Sequence, residues 1–287
     1  MVTDIECLRF NYESVLLRKI ESRLGAIPSI GQMQSHNLLA VRKRNLLGDA
    51  MLITSDLLPN IYKIYNSCLN MFGNNLQGEL FVQQSKEYNA SIFAHNQKFD
   101  MLIHSALLED FTSNELRFVF GHELGHVLLG HSRISVRETL SLTENIRPGL
   151  ISPETKDMMY RWSRATELSA DRVGLLCCGQ LETAVTALFK TLSGLSIINI
   201  DRILSSFRNQ YDILKQYMEK LSDSQSWLGT HPMIPIRFKA LELAALDIIV
   251  LRQQPNAFSG KGFRKVDQEI SSILSTLDKY LTACNTI

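Results

Sequence analysis

The stretch FGHELGHVLLGH, residues 120–131, constrains this chain more than any other part of it. His122 and His126 are four residues apart, one helical turn, so both imidazoles leave the same face and can grip a single ion. The surrounding pattern predicts a helix: Thr112 and Glu115 form a capping box, and the helix carries residues 113 to about 130. That helix is apolar almost all round, through Leu116, Phe118, Val119, Phe120, Leu124, Val127, Leu128 and Leu129. A chance occurrence of the motif would usually fall in a polar loop or on an exposed helix. Polar groups left unpaired in a core are costly, so two histidines and a glutamate here need a reason. Two imidazoles, a carboxylate and an open position for water are a donor set that suits zinc. Glu123 sits about 100° around the helix from His122, beside the metal and placed to take a proton from bound water.

The third protein ligand is not His131. A longer motif, HExxHxxGxxH, would put glycine and histidine where this chain has Leu129 and Ser132. On a continuing helix His131 points about 140° away from His126, and it is expected to close the helix by meeting free carbonyls. A better source is ATELSADRVGLL at 165–176, where Glu167 and Asp171 share the face of a second predicted helix. One carboxylate can coordinate the metal while the other accepts the free ring N–H of a ligating histidine and fixes its tautomer. The small residues Ala165, Ser169, Ala170 and Gly174 permit close packing of this helix on the first. The plainer alternative is a pair of solvated acids facing Arg164 or Arg172.

The rest of the chain reads as mostly helical with one strand-rich interval. Ile5, Leu8, Tyr12, Val15, Leu16, Ile20 and Leu24 recur at helical steps after a Thr3–Glu6 capping box, ending at Gly25 and Pro28. A second helix is expected from Pro59 to Phe72, stopped by residues 73–75. GELFVQQ (78–84), ASIFAH (90–95) and FDMLIHS (99–105) predict three strands of a small, largely antiparallel sheet. After a polar connection that follows the first helix at about 130 and includes RPGLISP at 147–153, Ser152 and Pro153 start a long helix running to Gly179. Further helices are expected at 181–193, at 200–222, up to about 251 and from Val266 onward.

Charge and composition remove several classes. The formal net charge of +1 gives no general pull toward nucleic acid or anionic membrane. The first 20 residues lack a signal-peptide pattern, and the most apolar stretch, LELAALDIIVL at 241–251, is short and holds Glu242 and Asp247. No transmembrane segment and a cytoplasmic location are therefore expected. The five cysteines fit no zinc ribbon and predict no disulfides, with Cys177 and Cys178 as small core residues closing a helix before Gly179.

Taken together, HELGH at 122–126, ELSAD at 167–171, and THP at 230–232 with Arg237 resemble the HtpX and CAAX prenyl endopeptidase family, family forty-eight of the metallopeptidases. The resemblance covers roughly residues 78–250. It implies an α+β gluzincin fold, with a small antiparallel sheet whose edge strand precedes the HExxH helix and holds substrate as an extended strand. It implies one zinc per chain, held by His122, His126 and Glu167, with Glu123 as general base and Asp171 supporting a ligand. His231 would donate to the tetrahedral oxyanion, and Arg237 would brace an acid or bind substrate backbone. The resulting organisation is an N-terminal helical segment (1–75) packed on a metallopeptidase unit (76–250), with a C-terminal helical extension (251–287), all within one compact domain. Many relatives span membranes; this chain resembles the soluble, single-domain members.

The implied activity is zinc-dependent endopeptidase cleavage of extended or unfolded protein, without nucleic acid. Two alternatives are a peptide-binding or regulatory module that keeps zinc without turnover, and a metal hydrolase acting on something other than protein. An intact Glu123 argues against the first, because a structural zinc needs no base and usually has four protein ligands. Strand-forming residues beside the site argue against the second. An aminopeptidase-type gluzincin fits poorly, since 41 positions separate His126 from Glu167. His36, His95 and His104 are expected to be structural or surface residues.

Overall fold

A computed structural model describes residues 4–25, 40–73, 76–95, 98–134, 136–146, 148–196, 199–220, 233–254 and 263–272. The centre of the fold is a pair of helices, α5 (Ser113–Leu128) and α7 (Pro153–Cys178), packed along each other. Both begin as their sequences dictate. Thr112 Oγ1 accepts from Glu115 N–H at 3.3 Å while Glu115 Oε2 accepts from Thr112 N–H at 2.6 Å, the reciprocal capping box. For α7, Ser152 Oγ accepts from the Thr155 amide and Pro153 fills the first turn. Gly179 ends it at φ +77°, a left-handed conformation suited to glycine.

The two helices meet backbone to backbone because glycines line the seam. A Cβ on Gly121 would stand 2.7 Å from the Cys177 side chain and 2.9 Å from Gly174 Cα. One on Gly125 would stand 2.9 Å from Ala170 Cα. No side chain larger than hydrogen fits at those distances, so the small residues set the separation of the helices.

Four strands form one sheet in the order β1 (Met51–Leu52), β2 (Gln77–Gln83), β4 (Lys98–His104), β3 (Ala90–His95). Two of the three pairings are antiparallel, as expected, but the central pair β2–β4 is parallel, from Gln77↔Lys98 to Gln83↔His104. The sheet is therefore mixed. β4 folds back on β3 and takes the place beside β2 that β3 would have held had consecutive strands simply paired.

One face of the sheet, through Leu80, Phe99, Met101 and Ile103, joins Leu116, Val119 and Phe120 of α5 and Tyr65 and Cys68 of α3 (Pro59–Asn70) in the main core. The other face is covered by α2 (40–49), whose Lys43 lies over the Phe81 ring and pairs with Glu79 and Asp100, while Arg42 lies over Phe93. A second core sits across α7. Phe10 and, from α1 (Asn11–Leu24), Leu16, Ile20 and Leu24 pack on Met159, Trp162 and Leu168. Ile236 of α10 (Ile234–Gln253) and Val266 and Ile270 of α11 (263–272) close it.

The N-terminal helix starts later than its periodicity suggests. Asp4 caps a short 3-10 turn, Ile5–Leu8, and the chain is extended at Arg9 and Phe10 before α1 begins; Thr3 lies outside the described residues. Tertiary acceptors explain the break, since the Phe10 amide donates to Ser169 Oγ and the Asn11 amide to Asp267 Oδ2, both at 2.9 Å. Strand β1, α4 (Ser105–Asp110) and α6 (Val136–Ile146) were not anticipated; α6 occupies part of the expected polar connection. Helices α8 (Leu181–Ser193) and α9 (Ile200–Lys220) match expectation. Cys177 and Cys178 are buried at the end of α7 without a disulfide, and Cys284 lies outside the described residues. Among the described residues no helix is long and apolar enough to cross a membrane.

Candidate metal centre

The seam between α5 and α7 brings three donor side chains together. His122 Nε2 and His126 Nε2 are 3.3 Å apart, and they lie 3.5 and 3.4 Å from the two carboxylate oxygens of Glu167. Two ligands about 2.05 Å from a tetrahedral ion stand about 3.3–3.4 Å from each other, so this triangle has the dimensions of a zinc site lacking its fourth ligand. Among the described residues these three are the group able to hold an ion. Glu167 reaches the histidines because Gly125 and Ala170 let α7 press against α5 three residues from it.

Each imidazole is held from behind. With His122 Nε2 turned into the triangle, its Nδ1–H donates to Asp171 Oδ1 at 2.9 Å. Asp171, only 1% exposed, also accepts from Arg237 of α10, whose Nε and Nη2 reach its two oxygens at 2.8 and 2.6 Å. Of the two roles expected for Arg237, the structure shows the bracing of an acid. The solvated-acid alternative for Glu167 and Asp171 fails, because both are buried and Arg172 pairs instead with Asp267.

The electrostatics follow from this packing. Burial alone would raise the Asp171 carboxyl, but Arg237 and His122 outweigh it and hold Asp171 below its ordinary value. Burial opposes charge on His122 too, yet Asp171 and Glu167 prevail and push it up to about 10. His126 has no direct carboxylate behind it, and burial takes it well below its ordinary value. Without metal, the acids of the centre thus keep a proton on His122, where a dication would replace it. Glu123, half-buried on α5, lies close enough to Arg237 to stabilise that charge.

His131 stands outside the donor group of His122, His126 and Glu167, and its expected role at the helix end is overturned. It does not meet free helix-end carbonyls; Arg9 Nη2 takes the Leu129 carbonyl at 2.7 Å. Gly130 turns left-handed (φ +65°) after α5 ends, which swings His131 back so that its Nδ1 is 2.9 Å from His126 Nδ1. On its other side, Nε2 lies 3.3 Å from Glu13 Oε1, an oblique ion-pair contact. Glu13 is fully buried and further held by Ser169 Oγ–H at 2.5 Å and by Arg9. The sequence held a signal for this: Glu13 falls on the same helical stripe as Leu16, Ile20 and Leu24, a buried position for a charge.

His231 and the rest of THP lie outside the described residues, as does His36. His104 is structural, its Nδ1 3.2 Å from the Glu87 carbonyl.

The chain is similar to three curated proteins. It is 26% identical over 238 residues to Plastoglobule-localized metallopeptidase 48, chloroplastic, of Arabidopsis thaliana, covering 76% of this chain and 67% of that protein. It is 35% identical over 74 residues to Metalloprotease LoiP of Escherichia coli, covering 25% of this chain and 28% of that one. To Metalloprotease YcaL of Escherichia coli it is 29% identical over 116 residues, 34% of this chain and 44% of that one. The aligned part thus spans about two thirds of the plant protein and less than half of either bacterial one. No solved structure matches the chain significantly. At residues 59–151 and 149–245, from α3 into α10 and including the whole donor triangle, the sequence matches one family model, and the chain belongs to that family, peptidase family M48.

Proposed function

We propose that this chain is a zinc-dependent endopeptidase that hydrolyses peptide bonds in extended or unfolded protein, with His231 as a further donor to the oxyanion. The observation that carries the reading is the donor triangle of His122, His126 and Glu167, whose sides of 3.3–3.5 Å suit zinc and whose histidines are each held from behind. His122, His126 and Glu167 would hold the ion. Bound zinc supplies a Lewis acid and lowers the pKa of a coordinated water to about 7.

The remaining steps belong to the chain's own residues. Glu123, one residue beyond His122 on α5, takes the proton of the attacking water and delivers it to the leaving amine. Asp171 fixes His122 with its Nε2 toward the metal. Arg237 balances Asp171, so that the buried acids carry less net negative charge. Substrate lies along β3, which has one strand neighbour among the described residues and packs beside α5. An extended peptide can add to such an edge through main-chain hydrogen bonds.

The test compares zinc-loaded parent and Glu123→Gln on an unfolded fluorogenic protein, with zinc content measured for both. Equal zinc with turnover lost by about 10²–10⁴-fold is the expected result. Retained turnover would remove Glu123 from the mechanism. No turnover in a zinc-replete parent would favour a module that binds peptide without cutting it.

A further inference from the structure

We infer that Glu13 and His131 form a second brace of the metal centre, through which the N-terminal helix α1 positions His126; the inference rests on the zinc reading above. The geometry fixes the direction of the hydrogen bond between the two imidazoles. A histidine that ligates through Nε2 keeps its proton on Nδ1, so His126 Nδ1–H must donate across the 2.9 Å to His131 Nδ1. His131 therefore accepts at Nδ1 and, when neutral, carries its own proton on Nε2. Nε2 stands 3.3 Å from Glu13 Oε1, an oblique electrostatic contact outside hydrogen-bond geometry. The order metal, His126, His131, Glu13 repeats with one imidazole inserted what Asp171 does directly for His122.

Glu13 has no other evident reason to be where it is. It is fully buried inside the apolar core between α1 and α7, where a carboxylate is costly unless paired. Its partners are His131, Arg9 and Ser169, so two polar groups hold the carboxylate against His131. The Trp162 ring lies edge-on to His131, its centroid 6.3 Å away, fixing the plane of the imidazole. Glu13 stands outside the stretch 59–245 that matches the family model.

Glu13 and His131 are thus positioning residues, acting on the metal only through His126. The test uses the full chain with His131→Phe, which keeps a ring but removes the acceptor, His131→Asn, which restores a side-chain acceptor, and Glu13→Gln, which keeps shape and loses charge. Zinc affinity is read by competition with a chromophoric chelator, and the His126 tautomer by long-range ¹⁵N–¹H NMR of the zinc-loaded protein. His131→Phe should weaken zinc binding by about 10–100-fold, with most of the loss recovered in His131→Asn and a smaller loss in Glu13→Gln. Melting of the metal-free proteins separates this from a structural role. Zinc affinity within about twofold of the parent in both His131→Phe and Glu13→Gln would overturn the inference. So would a loss that His131→Asn does not recover and that tracks the metal-free melting temperature. A parent that binds no zinc would instead bring down the zinc reading itself.

Discussion

Replacing Gly125 by alanine sets two physical effects against each other at the centre of the molecule. Helix propensity alone predicts a gain of about 1 kcal/mol, because glycine is the poorer helix former. The seam predicts the opposite. The added methyl would stand 2.9 Å from Ala170 Cα and 3.1–3.2 Å from Val173 Cβ and Cγ2. Carbon atoms rest about 3.5–4.0 Å apart, so α5 and α7 must separate by roughly half an ångström. The closest atom is backbone and cannot rotate away, which puts the overpacking cost toward the upper part of the usual range of about 1–3 kcal/mol. The net expectation is a loss of about 1–2 kcal/mol, a fall in melting temperature of about 2–6 °C for a chain of this size. Glu167 is carried outward with α7, beyond the roughly 0.2 Å that metal–ligand distances tolerate. Zinc affinity should fall by about tenfold or more. Thermal melting of the metal-free protein and a chelator competition measure the two effects separately. A Gly125→Ala protein that melts higher than the parent and binds zinc equally would refute the argument that the glycine seam sets the site's dimensions.

Three further outcomes follow from the same geometry. Glu167→Ala removes one corner of the donor triangle, so zinc content after dialysis should drop to a small fraction of the parent's, whereas full occupancy would require another acid as ligand. Arg237→Met leaves Asp171 buried without its two-pronged partner and should destabilise the fold by about 3–5 kcal/mol in urea unfolding, a larger loss than any surface arginine gives. Acid should act in two stages, the second set by two carboxylates: Glu13 and Asp171 are both held below their ordinary values, each against the pull of its own burial. The folded chain therefore binds fewer protons than the unfolded one through that range. The stabilisation is complete above the ordinary carboxylate pKa values and is lost only as pH falls through the depressed ones. Melting temperature followed from pH 7 downward should begin to fall near about pH 6.5, where the unfolded chain protonates His126 while burial keeps it neutral in the folded one, and fall more steeply below about pH 4; a melting temperature unchanged from about pH 7 to about pH 3 would contradict it.

What the sequence made legible, and what it hid, divides along one physical line. Local signals were readable: the Thr112–Glu115 box, Ser152–Pro153 and Gly179 mark helix ends through contacts within one turn. Helical spacing placed His122 with His126, and Glu167 with Asp171, on shared faces; that Glu167 is the carboxylate turned to the histidines came only from the family resemblance. Strand order was not, since alternation tells which face a residue takes but not which strand lies beside it, and β4 came between β2 and β3. The break at Phe10 was equally hidden, because its amide is claimed by Ser169, 159 residues away. His131 was misjudged by assuming that α5 continues straight. One left-handed residue, Gly130, was enough to turn it from a helix end into a neighbour of His126.

The 26-residue helix α7 touches two different parts of the molecule with its two sides. Glu167 and Asp171 face the metal centre, while Ser169 and Arg172 hold Glu13, Asp267 and the Leu8 carbonyl from the chain's two ends. Neighbours two apart on a helix point about 160° away from each other, so α7 works as an axle with a rim on either side. Side-chain tips stand about 6 Å from the axis, and a roll of about 2° moves them by the roughly 0.2 Å that a metal site tolerates. A torque applied through α1 or α11 would therefore be registered at the centre as a change in grip.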